Sequence, residues 1–147
     1  MLGISVSHLI DPRKLVVARP DTSVADAARL LKANAVGAVL VVEGDRLVGI
    51  FTERDAVYRV MAAGRDPSAT PLREVMTRDL ITVAPDDEFG YALYLMHEHG
   101  FRHTPVVENG RLVGVVSARH ALDPDLEEFA VEAERRRYFS RRAAASR

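Results

Sequence analysis

Two stretches of the chain place the same kinds of polar side chain at the same spacing behind a glycine: Gly49-x-x-Thr52-x-x-Asp55 and Gly114-x-x-Ser117-x-x-His120. Each offers a hydroxyl that donates and accepts. The first adds a carboxylate with two acceptor oxygens, the second an imidazole that has one acceptor nitrogen when neutral and none when protonated. Such a set fits the junction of a strand and a helix. There the hydroxyl caps free amides of the first turn, and the carboxylate is favoured by the helix dipole. The same groups can hold polar atoms of a bound molecule, and residue types alone leave both readings open.

Other clusters carry less chemistry. Arg102 and His103 form a basic pair suited to an anion, or, for Arg102, to an exposed pairing with Glu98. His97, Glu98, His99 and His103 invite a metal reading. His97 and His99, two apart on a helix, point to different faces, and no zinc-ligand spacing is present, so no metal site is expected. No Gly-x-Ser-x-Gly elbow and no Ser, His and Asp set in a recognisable context occurs, so catalytic residues are not expected. Walker loops and Gly-x-Gly-x-x-Gly are absent too, so phosphate binding would not rest on a glycine-rich loop. Residues 135–137, 141 and 142 are arginines around Tyr138 and Phe139. Acidic residues precede them, which favours a solvated or partner-docking helix end over a nucleic-acid site.

Composition narrows the classes further. The chain has 147 residues, 48% apolar and 28% charged, with net charge −1. These are globular values, and the charge gives no field for nucleic acid or an anionic membrane. Cysteine is absent, which removes disulfides and thiolate chemistry and fits a reducing cytoplasm. Residues 1–15 lack the unbroken apolar core of a signal peptide. The longest apolar run, residues 35–42, is of strand length, far from the ~20 residues of a membrane span.

The elements that position the two motifs follow from an internal repeat. Shifting the sequence by 65 places lays residues 15–57 over 80–122 without a gap, and 14 of the 43 positions are identical. Chance would give roughly two or three. The chain is thus two copies of one unit. In each copy a short leading strand (15–18, 80–84) precedes a helix. Asp21 or Thr22 is expected to cap the first helix, with Val24, Ala28, Leu31 and Ala35 on its apolar face; Phe89, Leu93 and Met96 form the corresponding face, and Gly100 the stop. A valine-rich run follows (38–42, 104–107), then a tight turn at Glu43-Gly44-Asp45 or Asn109-Gly110, and return strands at 46–51 and 111–116. A second helix closes each unit, at 54–63 before Gly64 and at 119–122. The expected fold is α/β: two pseudo-symmetric β-α-β-β-α repeats packed sheet to sheet. The divisions are 1–64, a first repeat with its lead-in; 65–79, a connector; 80–123, the second repeat; and 124–147, a helical tail. Leu126, Phe129 and Ala130 make a stripe on that tail, and early acid and late base suit its dipole.

The ordered set Val75-Met76-Thr77, Gly100-Phe101-Arg102-His103-Thr104-Pro105-Val106-Val107, Gly49-Ile50-Phe51-Thr52-Glu53-Arg54-Asp55 and Gly114-Val115-Val116-Ser117-Ala118-Arg119-His120 resembles a tandem CBS (cystathionine-β-synthase) domain pair, or Bateman module, over residues 3–122. The resemblance implies a regulatory module without catalysis that binds an adenosyl ligand: AMP, ADP, ATP, NAD(H) or S-adenosylmethionine. It assigns the ribose hydroxyls to Asp55, and the phosphate side to Thr52, Ser117 and the following helix N-termini. It also implies phosphate contact by Arg102 and His103, where the first copy has Gly37 and Ala38, and a contact by Thr82, where the first copy has Val17. Val17, Leu40, Ile50, Ile81 and Val106 are expected to line an apolar adenine cleft, and Ala38 completes the expected site. His120, in place of the aspartate, is expected to weaken ribose binding in the second pocket or to hold an anion if protonated. A homodimer is expected, through Ala56, Val57, Val60 and Met61, with Leu126 and Phe129 packing on the partner, alongside an unidentified protein partner. The competing readings are a dimerisation scaffold with vestigial pockets and, more distantly, an enzyme.

Overall fold

The computed structural model describes residues 3–122, 135–139 and 141–144. Five strands and three helices carry the fold: β1 (Val17–Ala18), α1 (Val24–Asn34), β2 (Ala38–Glu43), β3 (Arg46–Thr52), α2 (Glu53–Asp55, continuing as a π-helix over Ala56–Met61), α3 (Phe89–His99), β4 (His103–Glu108) and β5 (Arg111–Ser117). The sheets are β1-β2-β3 and β4-β5. Residues 135–139 and 141–144 are helical. The expected tail stripe of Leu126, Phe129 and Ala130 lies outside the described residues.

The helix ends are set by local hydrogen bonds. Ser23, not Asp21 or Thr22, caps α1, its Oγ accepting from Asp26 N at 3.1 Å. Thr22 is already engaged, accepting from Arg19 N at 3.2 Å in the preceding turn. This cap turns Val24, Ala27 and Leu31 inward and leaves Ala28 and Ala35 exposed. Ala35 terminates the helix with φ 51°, and Gly100 ends α3 with φ 73°, the left-handed conformation that glycine adopts without strain. On α3 the buried stripe is Phe89, Ala92, Leu95 and Met96, with Leu93 partly buried beside it.

Both hairpins are built alike down to their irregularities. Glu43 pairs with Arg46 and Glu108 with Arg111, and each register slips by one residue, after Val41 and after Val106. Asn109 and Gly110 take φ 51° and 77°, as a two-residue hairpin turn requires. The leading segments differ. Val17 and Ala18 pair in parallel with Leu40 and Val41, whereas residues 80–84 make only the bridge Val83 to Val106. In the first copy Leu40 N donates to Val16 O at 2.9 Å. Pro105 stands at the equivalent place and has no N–H to give, so the expected second leading strand does not form a ladder.

Strand alternation divides the apolar residues into layers. Val39, Val41 and Phe51 pack under α1 with Val16, Val24 and Leu31; Val106 and Val116 pack under α3 with Phe89 and Met96. Ala38, Leu40 and Ile50 face the other way, and meet Leu47, Leu112 and Val115 in a layer between the two sheets. Each fully buried valine, leucine or phenylalanine among them contributes about 1.5–3 kcal/mol.

The segments that precede each repeat are exchanged. Ile4 and Val6 pack into the second repeat's core, where Phe89 N donates to Ile4 O at 2.7 Å and Val6 N to Asp87 O at 2.8 Å. Leu72, Val75 and Met76 pack into the first repeat's core, with Leu72 N donating to Thr22 O at 2.9 Å. Residues assigned by sequence to the first repeat's lead-in thus complete the second, and part of the connector completes the first. Glycine is required where the exchanged segments cross β3 and β5. A β-carbon on Gly49 would overlap the Met76 side chain, and one on Gly114 would overlap Ile10.

Candidate functional site

Thr52 ends β3 and opens α2 as a capping box. Its Oγ1 accepts from Asp55 N at 3.4 Å, while Asp55 Oδ2 accepts from Thr52 N at 2.9 Å and from Thr52 Oγ1 at 3.1 Å. The carboxylate is buried, with 8% exposure. Its other oxygen, Oδ1, accepts from Thr77 Oγ1 at 3.3 Å and lies 3.5 Å from Arg59 Nε. Arg59 in turn donates through Nη1 to Met76 O at 3.1 Å and Val75 O at 3.4 Å. A carboxylate has about four acceptor positions, so every one at Asp55 is engaged within the chain. Thr77 also exchanges two backbone bonds with Ile50, at 3.0 and 2.8 Å. Asp55 therefore joins the motif of one repeat to the lead-in of the other.

The second motif keeps the cap but not the network. His120 Nδ1 accepts from Ser117 N at 3.0 Å, as Asp55 Oδ2 does from Thr52 N. The same Nδ1 lies 3.2 Å from Ser117 O. At the 65-residue offset, Thr77 and Arg59 correspond to Pro12 and Pro124, which offer neither hydroxyl nor cation.

The start of each motif's helix is tied to the residue before its own central strand. Glu53 N donates to Gly37 O at 3.1 Å and Ala118 N to Arg102 O at 2.9 Å, an identical bond in each repeat. His103, paired with Ser117, lies against Gly37. Its pKa is lowered to about 4, first by burial and then by the positive charges of Arg119, Arg102 and His120. His103 is thus held toward its neutral form, in which it offers a ligand a ring N–H rather than a charge. Arg102 and Arg119 are exposed cations beside it. Arg54 crosses to the second repeat, donating to Gly100 O at 2.8 Å at the end of α3.

The family model of the CBS domain matches residues 6–62 and 72–125. The chain belongs to the CBS-domain family. Among its relatives, the CBS domain-containing protein YhcV of Bacillus subtilis is 40% identical over 98 residues, covering 67% of this chain and 69% of YhcV. An uncharacterized protein of Methanopyrus kandleri is 33% identical over 124 residues; the match covers 83% of this chain but 63% of that protein. The CBS domain protein PAE2072 of Pyrobaculum aerophilum, solved in complex with AMP, superposes with a TM-score of 0.75 at 30% identity, covering 87% of this chain and 99% of that one.

Within this CBS pair the remaining expected residues fall into two groups. Val17, 48% exposed, and Thr82, also exposed, stand on the two leading segments and are open to an incoming molecule. Ala38, Leu40 and Ile50 are buried in the layer between the sheets, and Ile81 is partly buried on the second core. Val106, at 0% exposure, lies under α3 and is not brought to the layer of Leu40. An open cleft of about 410 Å³ lies between the end of α1, Glu53 and Arg119, lined also by Lys32 and Val36; it contains none of the residues expected to bind a ligand. Sequence reasoning missed Arg59 and Thr77. Arg59 was legible as a cation four places after Asp55, whereas nothing in the pattern links Thr77 to Asp55 across 22 residues. Among the described residues no metal-binding cluster occurs, and no helix is long and apolar enough to cross a membrane.

Proposed function

We propose that this CBS pair is a non-catalytic cytoplasmic sensor that binds an adenine nucleotide, with AMP the first candidate, at the pocket of Thr52 and Asp55. One observation carries the reading: the Thr52 hydroxyl and the Asp55 carboxylate share a capping box where the repeats join, in a fold whose Pyrobaculum relative is solved with AMP. Asp55 Oδ1 receives the ribose diol, Thr82 and Arg102 lie toward the phosphate, and Val17 and Ile81 flank the open edges. ADP, ATP, NAD(H) and S-adenosylmethionine share the adenosyl part and compete for the same groups. Binding needs only different affinities for two states of the module to signal to a partner, without chemistry.

Homodimerisation belongs to the same reading. Ala56 and Val60 turn into the first core, leaving Val57, Tyr58 and Met61 exposed on α2 by 47%, 66% and 73%. An exposed apolar patch of this kind suits an interface. The scaffold reading is favoured by one observation, the full internal use of Asp55's acceptors. A thermal-shift screen of the five ligands separates the two, because a ligand of the native state raises the melting temperature by mass action. Native mass spectrometry of freshly purified protein tests for a retained adenylate. No shift with any ligand leaves the scaffold.

A further inference from the structure

We infer that occupancy of the Asp55 pocket releases the connector between the repeats, through exchange of the Oδ1 partners Thr77 and Arg59 for the ligand's diol. The inference rests on the nucleotide reading above and adds a mechanism to it. Asp55 Oδ2 is committed to the capping box, which starts α2 and cannot be given up without loss of the helix start. The positions at Oδ1 are different. They are held by a 3.3 Å bond from Thr77 and a 3.5 Å ion pair from Arg59, and Arg59's side chain is 49% exposed. Among the described residues these are the longest contacts of the carboxylate, and both partners lie outside its capping box. A diol that binds Asp55 therefore displaces them.

Both displaced groups touch the same segment, which keeps its backbone bonds to Ile50 and Leu72, so what is released is its side-chain tie to Asp55. Thr77 is in the segment, and Arg59 binds the carbonyls of Val75 and Met76. That segment crosses from the connector to the second repeat, and Met76 fills the space above Gly49. The π-helix places Arg59 over the carbonyls, and such local departures from α-helix recur at functional positions. The second repeat has prolines at both equivalent positions, so the device belongs to this pocket alone.

Hydrogen exchange and calorimetry with AMP test this on the full chain. Saturating AMP is expected to accelerate amide exchange in residues 75–77 of the wild type. Thr77→Val, which frees one position on Oδ1, is expected to bind AMP more tightly by about tenfold or more, the worth of one hydrogen bond to a charged group; Thr77→Ser should match wild type. Exchange in residues 75–77 that is unchanged or slowed by bound AMP overturns the release mechanism while leaving the nucleotide reading in place, as does weaker or equal binding by a folded Thr77→Val. No binding of AMP, ADP, ATP, NADH or S-adenosylmethionine by the wild type removes the nucleotide reading and the release with it. The exchange measurement needs no variant and stands even where a substitution disturbs folding.

Discussion

Gly37 and His103 face each other across the junction of the two repeats, so closely that a β-carbon on Gly37 would come within 3.0 Å of His103 Nε2 and 3.3 Å of Glu53 Oε1. The first repeat's lack of a side chain here gives the second repeat's imidazole its place. That place is poor for a cation, because burial and the charges of Arg119, Arg102 and His120 lower the ring's pKa from 6.5 to about 4. Between those values the unfolded chain binds a proton that the folded chain refuses. The sign follows from linkage: the contribution is complete above pH 6.5 and is lost as pH falls toward 4. The loss is on the order of 2–3 kcal/mol. Urea melts from pH 7 to pH 4 should show it, and His103→Gln, which stays neutral, should flatten that part of the profile. A wild-type profile no steeper than the variant's would show that the ring is not held neutral.

A second stability prediction concerns Thr104, fully buried with no hydrogen-bond partner for its hydroxyl. Its counterpart in the first repeat is Val39, equally buried. Thr104→Val has nearly the same shape and removes an orphaned polar group, so it should stabilise the fold by about 1–2 kcal/mol. The urea midpoint should rise with an unchanged slope. A lower midpoint would show that the hydroxyl is bonded in solution.

The sequence carried the periodic features of this fold and missed those set by contacts between distant segments. The 65-residue offset placed both hairpins, and the shared slip after Val41 and Val106 shows how closely the copies agree. The exchange of lead-ins was not legible, since Ile4, Val6, Leu72 and Val75 lie in short 3₁₀ turns and loops without a period that names a core. Three neighbouring oxygens, on Asp21, Thr22 and Ser23, could each have capped α1, and the turn at Arg19 decided among them. At the site, the pairing of Thr52 with Asp55 was visible as a spacing. The lowered pKa of His103 was not, because it depends first on burial at the junction and then on the charges of Arg119, Arg102 and His120.

Assembly is tested through the exposed face of α2. The wild type is expected to be a dimer by light scattering across a wide concentration range. Met61→Asp should shift it toward monomer, since it places a charge in the patch of Val57 and Tyr58 without touching the buried Val60. A monomeric mass for the wild type at every concentration would contradict the dimer.

The two pockets are expected to be unequal. Asp55 and His120 both cap their helix starts, but only the carboxylate has a second oxygen to offer a diol. His120→Asp should preserve binding at the first pocket and raise the stoichiometry toward a second equivalent per chain. If substitution of Ser117 or His120 abolishes binding while Asp55 can be replaced freely, the pocket assignment is reversed.

The central claim is that this CBS pair binds an adenosyl ligand through Asp55, and calorimetry of AMP against the wild type and Asp55→Ala tests it most directly. The account predicts a saturable heat for the wild type and at least about a tenfold loss of affinity for the variant, the worth of a hydrogen bond to a charged group. The variant should also melt at lower temperature, because the capping box and the contacts to Thr77 and Arg59 go with the carboxylate. A folded Asp55→Ala that binds AMP as the wild type does would contradict the claim, as would a wild type that gives no heat with AMP, ADP, ATP, NADH or S-adenosylmethionine at millimolar concentration.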